Sequence, residues 1–365
     1  MSIIEINPNS YAAPKQRPAG MDPAVPYEPM LERRNSFFDW VTLTSIRTFY
    51  DIGAYRIPHA VLDYLRRDQL APIQGTPGAP VTDVPTANRV AVIGDMGEGS
   101  SSEVRNAAQV LKWAPTTVAT VGDNCYPLGR ERDWKRRFDP QFEQLRMSTT
   151  WHPALGNHDY YNKDLTPYFQ RFPALGGHAY YTWSQGPAQF FVLDSEQRLD
   201  GASSQQAWLA AELAKSTATY KVIQLHRPMV SSRAGSIGRN MHGSLGPLLA
   251  KYGVQLVLAG HEHGYERSRD SNGIVHMVTG GGGAASYAYP GRQPDFSIVR
   301  TPRYHHLQLA YDDTRMVIRA VDDRGQNFDT VTILPHATPV ADAAAGAAAV
   351  TPPARAAEPL PAASV

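Results

Sequence analysis

Along the middle of the chain short apolar runs recur, each stopped by a polar cluster. RVAVIGD, TVATVGD, WHPALGNHD, AQFFVLDS, YKVIQLH and VQLVLAGHEH each have the length and composition of a buried strand, closed by Gly with Asp or Asn, or by His. Helical segments fall between them. SSQQAWLAAELAKS, 203–216, places Ser203 and Gln206 at capping-box spacing and Leu209 and Leu213 on one face. SLGPLLAKYG, 244–253, predicts a second helix. Such alternation predicts an α/β protein of packed layers, and HHLQLAYDD, RMVIRAVDD and DTVTILP predict an antiparallel set that finishes a sheet.

The flanks read differently. Residues 1–30, rich in Pro, Asn and small side chains, predict an extended arm, and residues 31–86 predict N-terminal helices followed by a linker. HAVLDYLRR, 59–67, is the clearest helical piece there, and APIQGTPGAPVTDVPTAN, 71–88, is the Pro/Gly-rich connection. The Ala/Pro-rich residues 336–365 offer almost nothing bulky to bury and predict a disordered tail. One catalytic domain over 87–335 is the economical division.

Bulk properties exclude some classes. With 365 residues and 42% hydrophobic content the chain can build a sizeable core, and its single Cys rules out an intramolecular disulfide framework. A net charge of +1 argues against nucleic acid or an anionic membrane as partner. No apolar run is long enough to span a bilayer, and the first twenty residues lack the basic and apolar regions of a signal peptide. Arg33-Arg34 is followed by a stretch holding Asp39, Arg47 and Asp51, unlike an export signal, so a cytoplasmic location is the expectation.

Five strand ends carry the candidate chemistry: GDMG (94–97), GDNCY (122–126), GNHD (156–159), IQLH (223–226) and GHEH (260–263). Singly, each Gly-Asp is an ordinary turn and each His an ordinary hydrogen-bonded core residue. Ligands of open α/β sheets, however, bind beyond the carboxyl ends of strands, where these clusters would meet. Two Asp, an Asn, a Tyr and three His packed together would be costly without a cation, which makes a metal the simplest reconciliation. His261 and His263, two apart, would face one cluster from an extended segment.

In order, these motifs resemble those of the calcineurin-like metallophosphoesterases, and Tyr126 in the second narrows the resemblance to the purple acid phosphatase branch. It covers about 87–335 and implies a four-layer αββα sandwich of two mixed sheets. It further implies that Asp95, Tyr126 and His263 bind one metal, that Asn157, His226 and His261 bind a second, and that Asp123 bridges them. Three anionic ligands with two divalent ions and a hydroxide make a neutral cluster. Replacing one ion by Fe(III) adds a positive charge that favours phosphate, so Fe(III) beside a divalent Fe, Zn or Mn is the expected pair. The implied reaction is hydrolysis of a small phosphomonoester by metal-bound hydroxide, with His158 as general acid and Asp159 orienting it.

After His226 the chain departs from the family pattern, which places substrate-contacting histidines shortly beyond that ligand. Here stand Arg227, Arg233 and Arg239, and His242 is the displaced equivalent unless an arginine takes the phosphate. His152, His276, His305 and His306 read as structural, Cys125 as a packed thiol, and GGGGA, 280–284, as close backbone approach near the site. A phosphodiesterase on the same scaffold is the nearest alternative, and a non-catalytic interaction module, with a partner recruited through the N-terminal region, is a third.

Overall fold

The computed structural model of the chain describes residues 16–29 and 73–335, apart from 287 and 290. The helix expected at 59–67 and the tail at 336–365 lie outside the described residues. Among the described residues fourteen strands form two mixed sheets. One sheet contains β1 (Gln74–Gly75), β5 (Tyr181–Gln185), β6 (Ala188–Val192), β7 (Tyr220–Gln224), β8 (Leu256–Ala259), β9 (Tyr265–Arg269), β10 (Val275–Thr279) and β11 (Ser297–Thr301), in the order β1-β11-β9-β10-β8-β7-β6-β5. The other contains β2 (Asn88–Ile93), β3 (Thr117–Thr120), β4 (Thr150–Pro153), β12 (His305–Tyr311), β13 (Met316–Asp322) and β14 (Asn327–Ile333), in the order β14-β13-β12-β2-β3-β4.

Strand periodicity sets the layers. Val90 and Val92 of β2 point into the core between the sheets, where they meet Phe190, Val192, Val222, Leu256 and Leu258 from the other side. Their neighbours Ala91 and Ile93 point outward, under Ala107 and Val110 of the helix Ser101–Trp113 and Phe142 and Leu145 of the helix Asp139–Ser148. On the far face, Phe191, Ile223 and Val257 lie under Leu209 and Leu213 of the helix Ser204–Lys215 and Met241, Leu245 and Leu249 of the helix Ser236–Lys251. Helix, sheet, sheet, helix is the four-layer αββα sandwich that the motifs implied.

Local differences have physical reasons. The Ser203 hydroxyl accepts from the Gln206 amide at 3.2 Å, but the Gln206 side chain turns away from the cap and pairs with Ser244, whose hydroxyl donates to it at 2.9 Å. Half the expected capping box is thus used to tie two helices together. The second helix starts at Ser236, eight residues before the expected start: burial of an i, i+4 stripe of Ile237, Met241, Leu245 and Leu249 carries it, a stripe that Gly238, Gly243 and Gly246 dilute in the sequence. Within the expected linker, Gln74–Gly75 pairs with β11, and within the expected arm Met21 and Val25 are buried while Glu28 accepts from the Ser204 hydroxyl at 2.6 Å.

Candidate metal centre

β2, β3 and β4 are parallel neighbours, so the loops after them emerge side by side and carry Asp95, Asp123, Tyr126 and Asn157. β7 and β8 do the same in the other sheet and deliver His226, His261 and His263 to the same end. All seven meet. Tyr126 Oη lies 2.9 Å from Asp123 Oδ2, 2.9 Å from His263 Nε2 and 3.2 Å from Asp95 Oδ1. His226 Nε2 lies 3.0 Å from Asn157 Oδ1, 3.2 Å from His261 Nδ1 and 3.3 Å from Asp123 Oδ1. One oxygen of Asp123 therefore faces each group.

The neighbours dictate which lone pairs point inward. His226 Nδ1–H donates to the Val121 carbonyl at 2.9 Å and His263 Nδ1–H to the Ala285 carbonyl at 2.9 Å, which leaves each Nε2 as an acceptor. Asn157 Nδ2 donates to the Tyr161 hydroxyl at 2.8 Å, which turns its Oδ1 inward. With the His226 and His263 rings neutral, their Nε2 atoms are acceptors facing oxygen acceptors, with one phenol proton among Asp95, Asp123 and His263, an arrangement that added positive charge, a metal ion or a proton on His226, reconciles. Separations of 2.9–3.3 Å are close to the edge, about 3.3 Å, of a tetrahedron with ~2.0 Å metal–ligand bonds. The donor set fits two metal ions. The charges agree: burial works to lower the His226 pKa, yet the Asp123 carboxylate carries it up to about 9, so the site attracts positive charge.

Asp95, Asp123 and His261 hold φ angles of 57°, 49° and 70°, left-handed values that cost a non-glycine residue ~1–3 kcal/mol each. The loops repay this with hydrogen bonds from Asp95 N to Gly122 O at 3.1 Å, Met96 N to Asp123 O at 3.1 Å and His261 N to Asp95 Oδ2 at 2.9 Å. His261 and His263 do converge, but across a bend at 261–264 rather than from an extended segment. Gly156 is required by proximity, since a Cβ there would lie 2.3 Å from both N and Oδ1 of Asp123. Gly280 is confined too, its Cβ position lying 2.3 Å from Glu262 O and 2.8 Å from Asp95 Oδ2.

Two expected roles are corrected. Asp159 does not orient His158: its carboxylate accepts from Gly156 N at 2.9 Å and Asn124 Nδ2 at 2.9 Å, which locks the GNHD loop to GDNCY. His158 is oriented instead by Pro127, whose carbonyl lies 2.7 Å from Nδ1, and its Nε2 stands 4.0 Å from Asp123 Oδ2. His242 is not brought to the seven either. It sits on the outer helix with its Nε2 3.1 Å from Asp270 Oδ2, and Asp270 follows β9, which runs five residues away from GHEH, roughly 17 Å at about 3.4 Å per residue.

Sequence reasoning missed one buried partner. Arg227 donates to both oxygens of Glu196, from Nε at 2.6 Å and Nη2 at 3.0 Å, and its Nη1 lies 3.3 Å from His261 Nε2. Arg227 was singled out by its place after His226, but no signal in the sequence linked it to Glu196. Arg233 lies over the Tyr289 ring and Arg239 donates to the Ala234 carbonyl, both outside the cluster. Cys125 is buried, with its thiol pushed well up by burial, as a packed residue should be.

Fold and donor set together match the pattern of the metallophosphoesterase fold. Residues 88–265 match the family described as calcineurin-like phosphoesterase. It is 27% identical over 239 residues to tartrate-resistant acid phosphatase type 5 of Mus musculus, across 54% of this chain and 73% of that protein. It is 25% identical over 307 residues to a protein of Arabidopsis thaliana named probable inactive purple acid phosphatase 1, across 68% of this chain and 50% of the relative. Among solved structures, a purple acid phosphatase from yellow lupin seeds shares the fold, with a TM-score of 0.63 at 21% identity, over 70% of this chain and 55% of that one. The chain thus spans about half the length of the last two.

Proposed function

We propose that the protein is a binuclear-metal hydrolase of phosphomonoesters, of the acid phosphatase type. The observation that carries the reading is the inward convergence of seven donors with one oxygen of Asp123 turned to each group. Asp95, Tyr126 and His263 would hold one ion, Asn157, His226 and His261 the other, with Asp123 between. Bound there, two such ions supply Lewis acidity and an activated water for attack on phosphorus. The hard anionic oxygens of Asp95, Asp123 and Tyr126 favour Fe(III) on their side, and the neutral Asn157 and imidazoles favour a divalent ion on theirs.

The chain's own residues do the rest. His158 stands at the open side of the cluster, its side chain 21% exposed, with Nδ1 anchored to Pro127, so that as an imidazolium it carries on Nε2 a proton for the departing alcohol oxygen. Arg227, fixed by Glu196, adds a permanent positive charge beside His261 that favours an anionic substrate. Asn124 and Asp159 hold the two loops that present Asp123 and His158.

The test compares p-nitrophenyl phosphate with bis(p-nitrophenyl) phosphate on purified protein of measured metal content. Faster monoester turnover with two metals per chain is expected, and faster diester turnover would replace the reading by a phosphodiesterase. One relative bears the name probable inactive, so turnover rather than fold decides. A folded, metal-loaded chain that hydrolyses neither ester would be a non-catalytic module. The Fe(III) assignment has its own readout, a visible charge-transfer band from the Tyr126 phenolate that Tyr126→Phe abolishes. An active, colourless protein would refute that assignment alone.

A further inference from the structure

At the other end of β9 and β10 a second group of metal-type ligands meets. His242 comes from the outer helix, Asp270 from the turn after β9, and His276 from the second position of β10. Both imidazoles bring Nε2 to the same oxygen, Asp270 Oδ2, at 3.1 Å from His242 and 3.3 Å from His276. The ligand atoms of the three residues all lie within 4.8 Å of one another.

The surroundings are built around that oxygen. The other carboxylate oxygen, Oδ1, accepts from the amides of Asn272 at 2.9 Å and Ile274 at 3.0 Å, so the turn fixes the carboxylate with Oδ2 facing the imidazoles. Asp270 and His276 have side chains 2% and 3% exposed, and among the described residues no Lys or Arg pairs with Asp270. A buried carboxylate held only by imidazoles and amides is short of positive charge. His276 Nδ1 is buried without a hydrogen-bond partner, so among the described residues the ring is held through Nε2. His242 is 30% exposed, so the cluster is open to solvent on that side.

We propose that His242, Asp270 and His276 bind a divalent transition-metal ion of the zinc class, with water completing the coordination. Two imidazoles and a carboxylate are a zinc-type set, and the 3.1 and 3.3 Å separations suit ~2.0 Å bonds in a tetrahedral arrangement. The ion pins the outer helix to the β9–β10 turn, at the end of these strands away from GHEH and Gly280. This site is independent of the phosphatase reading.

The test uses the full chain, stripped with chelator and titrated with Co2+ and with Zn2+. The wild type is expected to hold one more equivalent per chain than His242→Ala or Asp270→Asn, with at least about tenfold weaker binding of that equivalent in either variant. The part of the cobalt absorption spectrum contributed by that equivalent should disappear with it, while the part contributed by the main centre stays. Should Asp270→Asn fail to fold, His242→Ala, at a partly exposed helix position, decides alone. Equal metal content and equal cobalt spectra in wild type and variants would overturn the site, whatever the activity toward phosphate esters.

Discussion

Replacing Glu196 by Gln tests whether the Arg227 pair is as dry as it is drawn. The guanidinium and the carboxylate have side chains 2% and 0% exposed and share two hydrogen bonds, of 2.6 and 3.0 Å. Neutralising one partner of a buried pair costs ~3–5 kcal/mol, because the remaining charge keeps its desolvation penalty without its counter-charge. For a domain of this size each kcal/mol moves the melting temperature by about 2–4 °C, so Glu196→Gln should melt about 6–20 °C lower. The double variant Arg227→Met with Glu196→Leu removes both charges and should recover most of that loss, giving a coupling above ~2 kcal/mol in the cycle. It should not recover function. With the charge beside His261 gone, inorganic phosphate should inhibit about tenfold more weakly, equivalent to ~1.4 kcal/mol. Calorimetry at matched metal content and phosphate inhibition constants give the two readouts. A Glu196→Gln protein that melts within 2 °C of wild type, about 1 kcal/mol or less, would refute the reasoning.

Gly156→Ala should be among the most damaging small substitutions, since the new methyl would sit 2.3 Å from Asp123 N and Oδ1 and must displace the carboxylate shared by both donor groups. Metal analysis should find the variant depleted although its circular dichroism stays native; full metal content would contradict the proposed bridging role. Buried histidines outside the seven donors set an acid limit. Burial holds His305 at about 4 and His306 at about 3, below the ordinary value of 6.5, so their stabilising contribution is complete above about pH 6.5 and is lost as pH falls from there toward 4 and 3. At 1.36 kcal/mol per unit this amounts to at most ~3–5 kcal/mol each. His306→Gln should flatten the fall in melting temperature between pH 6 and 4, and a wild type that becomes more stable over that range would show the sign to be wrong.

Much of this was legible because the chemistry demands particular residue types at strand ends. GDMG, GDNCY, GNHD, IQLH and GHEH mark themselves by polar side chains where a strand stops, and all five close neighbouring parallel strands. What could not be read was whatever depends on a second segment. Asn124, at a variable position of its motif, proves to be the partner of Asp159, and Glu196 meets Arg227 from a different loop. β9, YERSR, does not look like a buried strand until Asp329 of β14 is seen to take both nitrogens of Arg267 at 2.7 and 3.0 Å. A polar strand inside a protein is invisible in a sequence because its partner is what makes it apolar enough to bury.

The two donor groups do not follow the two sheets, and this has a consequence for stability. Asp95 and Tyr126 come from loops of the six-stranded sheet while His263 comes from the eight-stranded one; Asn157 comes from the first, His226 and His261 from the second. Each ion would therefore be held by ligands from both sheets, at the end of the apolar seam formed by Val92, Val121 and Leu258. Without metal ions that end of the sandwich keeps its buried acceptors together only with a proton taken up on His226, or relieves them by parting of the strands. Metal binding then acts as a clamp across the inter-sheet core, and the same ions that would carry the chemistry should also raise the energy needed to open the fold at that edge.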